Sequence, residues 1–139
     1  MWESSLQEFK KRGCLLIKAS GNRYGKKRFS NIWELNDSIL KVEASDRDGA
    51  LASFSNTGEI RAPGANVFSV ISGEARKGYY TRNICGQEKG VFSSGTSFAA
   101  PIVAGIAAAT KSVLKESSRF SDLSGAEQIT ILTTILKAS

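Results

Sequence analysis

Ser97 stands in the stretch GTSFAAPIVAGIAAAT, residues 95–110, where a Thr-Ser pair and a proline open a run of small apolar residues. A serine at the mouth of a helix lies among backbone N–H groups that have no intrahelical partner. Those groups and the helix dipole favour negative charge. A serine so placed is suited to attack a carbonyl, and its own N–H can donate to the oxyanion that forms. The same residues also suit a simpler role, because Thr96 or Ser97 can serve as an N-cap. An attacking serine needs a base, and the 139 residues contain no histidine.

The elements around this stretch follow from hydrophobic period. Trp2, Leu6 and Phe9 recur at helical spacing, Lys10 to Arg12 fill a last turn and Gly13 supplies a stop, which predicts a helix over residues 2–12. CLLIKAS, residues 14–20, is a near-continuous apolar run of strand length, as in a parallel strand covered on both faces. SILKVEAS, residues 38–45, predicts a second strand in which Leu40 and Val42 alternate with Lys41 and Glu43. DRDG is a turn; ALASFSNTG is a loop or short strand. Pro63-Gly64 breaks the next piece, and NVFSVI can be a short strand.

Residues 72–94 lack a clear period and predict a hairpin or irregular excursion, with KGVFSS pairing back. Ser97 to about Leu114 is apolar almost all round and predicts a helix buried on most sides, with Gly105 and Ala107 to Ala109 leaving room for close neighbours. Pro101 fits only a first turn, which places the helix start near Thr96 to Phe98. SGAE, Ser124 to Glu127, matches a capping box, and Ile129, Leu132, Ile135 and Leu136 form an apolar face on the helix that follows. The class is α/β: part of a mostly parallel sheet with flanking helices.

Composition narrows the function. The apolar share is 41% and the charged share 23%, values of a folded domain. The net charge is +6, but the basic residues are spread out, and their densest cluster, Arg23 to Phe29, reads as a solvated loop, so no nucleic-acid partner is expected. The two cysteines make no disulfide framework, and Cys14, in an apolar run, reads as a buried small hydrophobe. Without histidine or a ligand spacing, no metal site is expected. The N-terminus has no apolar h-region, and APIVAGIAAAT is too short to span a bilayer.

GTSFAAP resembles the serine box of the subtilisin-like serine peptidases, the subtilases (peptidase S8), which runs G-T-S-x-A-x-P. Gly95, Thr96, Ser97, Ala99 and Pro101 match every fixed position, and Val103, Ala104 and Gly105 match the V-A-G that follows. GCLLIKASGN resembles the family strand ending A-x-G-N, and ASFSNTGEIRAPG, residues 52–64, the stretch A-x-F-S…A-P-G. The three elements occur in family order and match roughly the C-terminal half of a subtilase catalytic domain.

The resemblance implies a serine endopeptidase, hydrolysing a polypeptide through an acyl-enzyme on Ser97. It implies that the Asn22 amide and the Ser97 N–H hold the oxyanion, and that Ala19, Ser20 and Gly21 form one wall of the pocket for the residue before the scissile bond. Arg23, at the rim, is hypothesised to favour acidic or polar residues there; equal cleavage of acidic and aromatic peptides would refute this. No cofactor is implied. Subtilases commonly bind structural calcium and are commonly secreted, but neither a ligand cluster nor a signal is visible.

The chain departs from the family in its proton relay, which needs Asp, then His, then Ser. Both relay residues would lie upstream of Asn22, where Glu3 and Glu8 are the only acids. The chain alone is therefore expected to be inactive. The leading expectation is that residues 1–139 are the C-terminal portion of a subtilase catalytic domain whose Asp- and His-bearing portion is absent, with D-[ST]-G and H-G-T boxes upstream. The alternatives are one chain of a split peptidase, and a non-catalytic subtilase-like binding module. Without its other half, CLLIKAS would leave an edge and apolar surface open, so the isolated chain is expected to be poorly soluble or to need a partner chain. Two smaller departures are the lack of proline in RYGKKRFSNIWELNDS, which bears on the pocket floor, and an insertion expected around residues 73–90.

Overall fold

The computed structural model describes residues 2–24, 39–70, 81–84 and 87–138, with side chains for all but Trp2 and residues 81–89. Most of the Arg23–Phe29 cluster, the proline-free loop, Cys85 and much of the expected insertion lie outside the described residues.

The first sheet is parallel, as the apolar runs require. Strands β1 (Leu16–Ala19), β2 (Ile39–Ser45) and β3 (Ile60–Pro63) lie in the order β1-β2-β3. Leu16 pairs with Ile39 and Val42 with Ile60. β2, at the centre, is buried on both faces rather than alternating: Leu40, Val42 and Ala44 are buried, and so are Glu43 and Ser45. Glu43 is accommodated by its cross-strand partner: Arg61 Nε donates to Glu43 Oε1 at 2.7 Å, and Gly58 N–H donates to Oε2 at 2.8 Å. A buried carboxylate needs such partners to offset its desolvation. β3 departs from the sequence expectation, because Pro63 reads as a breaker; it closes β3 on an edge strand, where proline is tolerated.

A second, antiparallel sheet of order β4-β6-β5 is built from β4 (Val67–Val70), β5 (Thr81–Ile84) and β6 (Gln87–Ser93). Phe68 pairs with Phe92 across it, so KGVFSS does pair back on NVFSVI.

Helix α1 (Trp2–Lys11) stops at Gly13, whose φ of 72° suits glycine. Leu6 is buried, but Phe9 is exposed, because α1 packs chiefly on one neighbour. Cys14 is exposed rather than buried: it belongs to the helix exit, its N–H donating to Phe9 O, and the strand begins two residues later.

Helix α2 (Thr96–Leu114) lies across β1, β2 and β3. A short helix α3 (Ser118–Ser121) leads to α4 (Gly125–Ala138), which packs on α1 and α2. The capping box forms as read: Glu127 Oε2 accepts from Ser124 N–H at 2.9 Å and from its Oγ at 2.6 Å, bonds that hold the Glu127 carboxyl below its usual pKa. Ile129, Leu132 and Leu136 enter the core with Leu40, Val42, Ala99 and Val103, while Ile135 is left exposed.

Two expectations for α2 are corrected. It is covered on one stripe only, Thr96, Ala99, Val103 and Ala107; Ala104, Gly105, Ile106, Ala108, Ala109 and Val113 are exposed. Ile106 keeps 52% and Val113 66% of its surface open. Its 19 residues, mean hydropathy 1.5, also reach the length and apolarity of a membrane-crossing helix. The run APIVAGIAAAT is only part of that length. Packing across three strands makes α2 a core helix with one face uncovered.

Candidate active site

The site forms where β1 ends against the start of α2. Gly95, not Thr96 or Ser97, takes the N-cap position, with no side-chain cap bond. Thr96 and Ser97 are the first helical residues, which removes the simple capping role for both. Pro101 then falls in the second turn rather than the first. Having no N–H, it leaves the Ser97 carbonyl without its helical donor.

Thr96, 1% exposed, is the hinge of the geometry. Its N–H donates to Asn22 Oδ1 at 2.8 Å and its Oγ1 donates to the same oxygen at 2.9 Å. Its Oγ1 in turn accepts from Gly21 N–H at 3.1 Å. With the acceptor end of the Asn22 amide held by two donors, the Nδ2 end is turned the other way.

Gly95 shows where that end lies. A Cβ added at Gly95 would stand 3.1 Å from Ser97 Oγ and 3.2 Å from Asn22 Nδ2. The hydroxyl and the amide donor therefore flank one small space, kept open because residue 95 has no side chain. Ser97 and Asn22 are both exposed to what enters it. Gly95 N–H donates to Gly64 O at 2.7 Å, and a Cβ at Gly64 would strike Ala44 Cβ at 2.5 Å. The A-P-G turn thus docks the loop before α2 onto the central strand only as glycine. Among the described residues none hydrogen-bonds to Ser97 Oγ as a base.

Of the wall residues, Ser20 donates its N–H to Val42 O at 2.9 Å, and Gly21 donates its own to Thr96. Both carbonyls accept from Asn56, Ser20 O from Nδ2 at 3.0 Å and Gly21 O from the backbone N–H at 2.8 Å. Strand alternation turns the Ala19 N–H and C=O to the opposite edge of β1. Arg23 is exposed beside Asn22. Sequence reading misses Thr96 as an orienter and Asn56 as a clamp; Asn56 lies in the quoted FSN stretch, but only the fold brings it to Ser20. Among the described residues no group of three or more His, Cys, Asp or Glu gathers as a ligand set. Asp46, on an exposed turn, commits Oδ1 to the N–H groups of Asp48 and Ala50.

A parallel α/β sheet carrying a Gly-Thr-Ser helix start against an A-x-G-N strand end is a subtilisin-type arrangement, and the model of the subtilase family, Peptidase S8, matches residues 1–138. The chain belongs to that family. It is 39% identical over 105 residues to a thermostable alkaline protease of Halalkalibacterium halodurans, covering 72% of this chain and 24% of that protein. It is 34% identical over 98 residues to the halolysin-like extracellular serine protease Nep of Natrialba magadii, covering 68% of this chain and 15% of that protein. Among solved structures, the prenylagaramide maturation protease PagA is 31% identical with a TM-score of 0.59, over 82% of this chain and 38% of that one. The chain thus spans less than a quarter of the length of these curated relatives.

Proposed function

We propose that this chain is the nucleophile-bearing half of a serine endopeptidase. Ser97 attacks the scissile carbonyl, Asn22 Nδ2 and the Ser97 N–H hold the oxyanion, and Ala19 to Gly21 wall the pocket for the residue before the cut. The observation that carries this is the shared space at Gly95, flanked by Ser97 Oγ and Asn22 Nδ2. The Asn22 amide is turned by two Thr96 bonds so that the donor, not the acceptor, faces it. The substrate is a polypeptide, as the protease relatives suggest.

The proton relay is supplied by an upstream half carrying Asp and His, from the same precursor or from a second chain. The uncovered face of α2 supports this, since an apolar face with Ile106 and Val113 this open is expected to be covered by another element.

Fluorophosphonate labelling tests the reading. Ser97 should label, and peptides be cut, when the chain is combined with an upstream half bearing both boxes, and not otherwise. Equal labelling of the chain alone, or none with that half present, would refute it.

A further inference from the structure

We propose that Asn56 is the positioning residue for the oxyanion donor, acting through the backbone of Asn22; the inference rests on the peptidase reading above. Asn22 sits on an exposed turn after β1, where its side chain is anchored only from Thr96 among the described residues. A side chain held at its tip still moves if its backbone moves. Asn56 holds that backbone. Its N–H donates to Gly21 O at 2.8 Å, and its Oδ1 accepts from Arg23 N–H at 3.1 Å. Gly21 O belongs to the peptide group before Asn22, and Arg23 N to the one after it. One residue therefore grips both peptide groups that flank the donor.

The clamp extends in two further directions. Asn56 Nδ2 donates to Ser20 O at 3.0 Å, and Asn56 O accepts from Ser20 Oγ at 2.7 Å. It also accepts from Ser55 Oγ at 2.8 Å; that hydroxyl, fully buried, accepts from Ala44 N–H of β2 at 2.9 Å. The turn is thus tied to the central strand rather than to another loop. Gly21 admits the clamp: its φ is 109°, and a Cβ there would come within 2.6 Å of Asn56 Nδ2.

Position matters here because an oxyanion donor acts only within about 2.7–3.1 Å of the developing charge. A displacement of about 1 Å at a reacting centre lowers rates by about 10²-fold. Asn56→Ala removes the two side-chain bonds and leaves the backbone ones.

The test has two arms. In the chain, hydrogen exchange at Thr96 N–H, which donates to Asn22 and not to Asn56, should speed up at least fivefold in Asn56→Ala. In the chain combined with its upstream half, Asn56→Ala should lower kcat about 10- to 100-fold, below the limit set by losing the donor itself. In an Asn22→Ala background the same substitution should lower kcat less than about threefold, since a donor that is gone cannot be misplaced. Asn56→Asp, which keeps the volume and the acceptor for Arg23 but sets a carboxylate oxygen against Ser20 O in place of the donor, should show the same pattern if the alanine variant does not fold. Equal losses in both backgrounds, or unchanged exchange at Thr96, overturn the proposal. If Asn22→Ala itself leaves turnover unchanged, the peptidase reading falls, and the exchange arm still decides whether Asn56 sets the position of Asn22.

Discussion

Ser97→Ala, in the chain combined with a half that bears the Asp and His, should lower peptide hydrolysis by about 10⁶-fold. That magnitude is the one measured on subtilisin, itself a subtilase. What the geometry adds is the condition. Nucleophile and base act as a unit, so removing either loses nearly the whole effect. In the chain alone, with no histidine and no base bonded to Ser97 Oγ among the described residues, the same substitution should change almost nothing. Ser97 is exposed, so the variant should melt with the parent chain. Comparing initial rates and melting temperatures for both proteins, with and without the upstream half, separates loss of chemistry from loss of fold. A Ser97→Ala enzyme that still turns over within tenfold of the parent would place the nucleophile elsewhere.

Gly95→Ala should lower kcat by about 10²–10³, the loss found in subtilisin, a family member, when the asparagine donor is removed. The added methyl would occupy the point 3.1 Å from Ser97 Oγ and 3.2 Å from Asn22 Nδ2, the space in which the proposed mechanism holds the oxyanion. The backbone does not object: φ at Gly95 is 162°, extended geometry that alanine adopts. Activity and stability should therefore part company, with the melting temperature shifted by no more than a few degrees. A variant that loses both together would show that Gly95 is needed for packing; one that loses neither would show that the oxyanion forms elsewhere.

The serine box, the A-x-G-N turn and the capping box are legible in the sequence because each is a local pattern whose chemistry lies within a few residues. The Thr96 bonds and the Asn56 clamp are not, because they join residues 74 and 36 positions apart. Periodicity misleads where it measures apolarity without naming the neighbour. Phe9 and Ile135 lie on the apolar period of their helices yet stay exposed. Glu43 alternates with the apolar residues of its strand in the sequence, and its burial is explained by two partners the fold brings to it, Arg61 and the Gly58 N–H. The uniformly apolar α2 reads as enclosed; its sequence records what the helix can tolerate around it, and the fold records what these residues provide.

The open face of α2 has a kinetic consequence. Ile106 and Val113 flank the stripe that carries Ala99 and Val103 into the core, one and two heptads along from Ala99, yet are left open. Such a surface is adhesive toward any apolar partner, including another copy of itself. Capture by the proposed upstream half and self-association would then be competing second-order processes. If both halves belong to one precursor, tethering raises their effective concentration and decides the race during synthesis. If they are separate chains, the outcome depends on their relative abundance, and peptidase yield should fall steeply when this chain is made in excess.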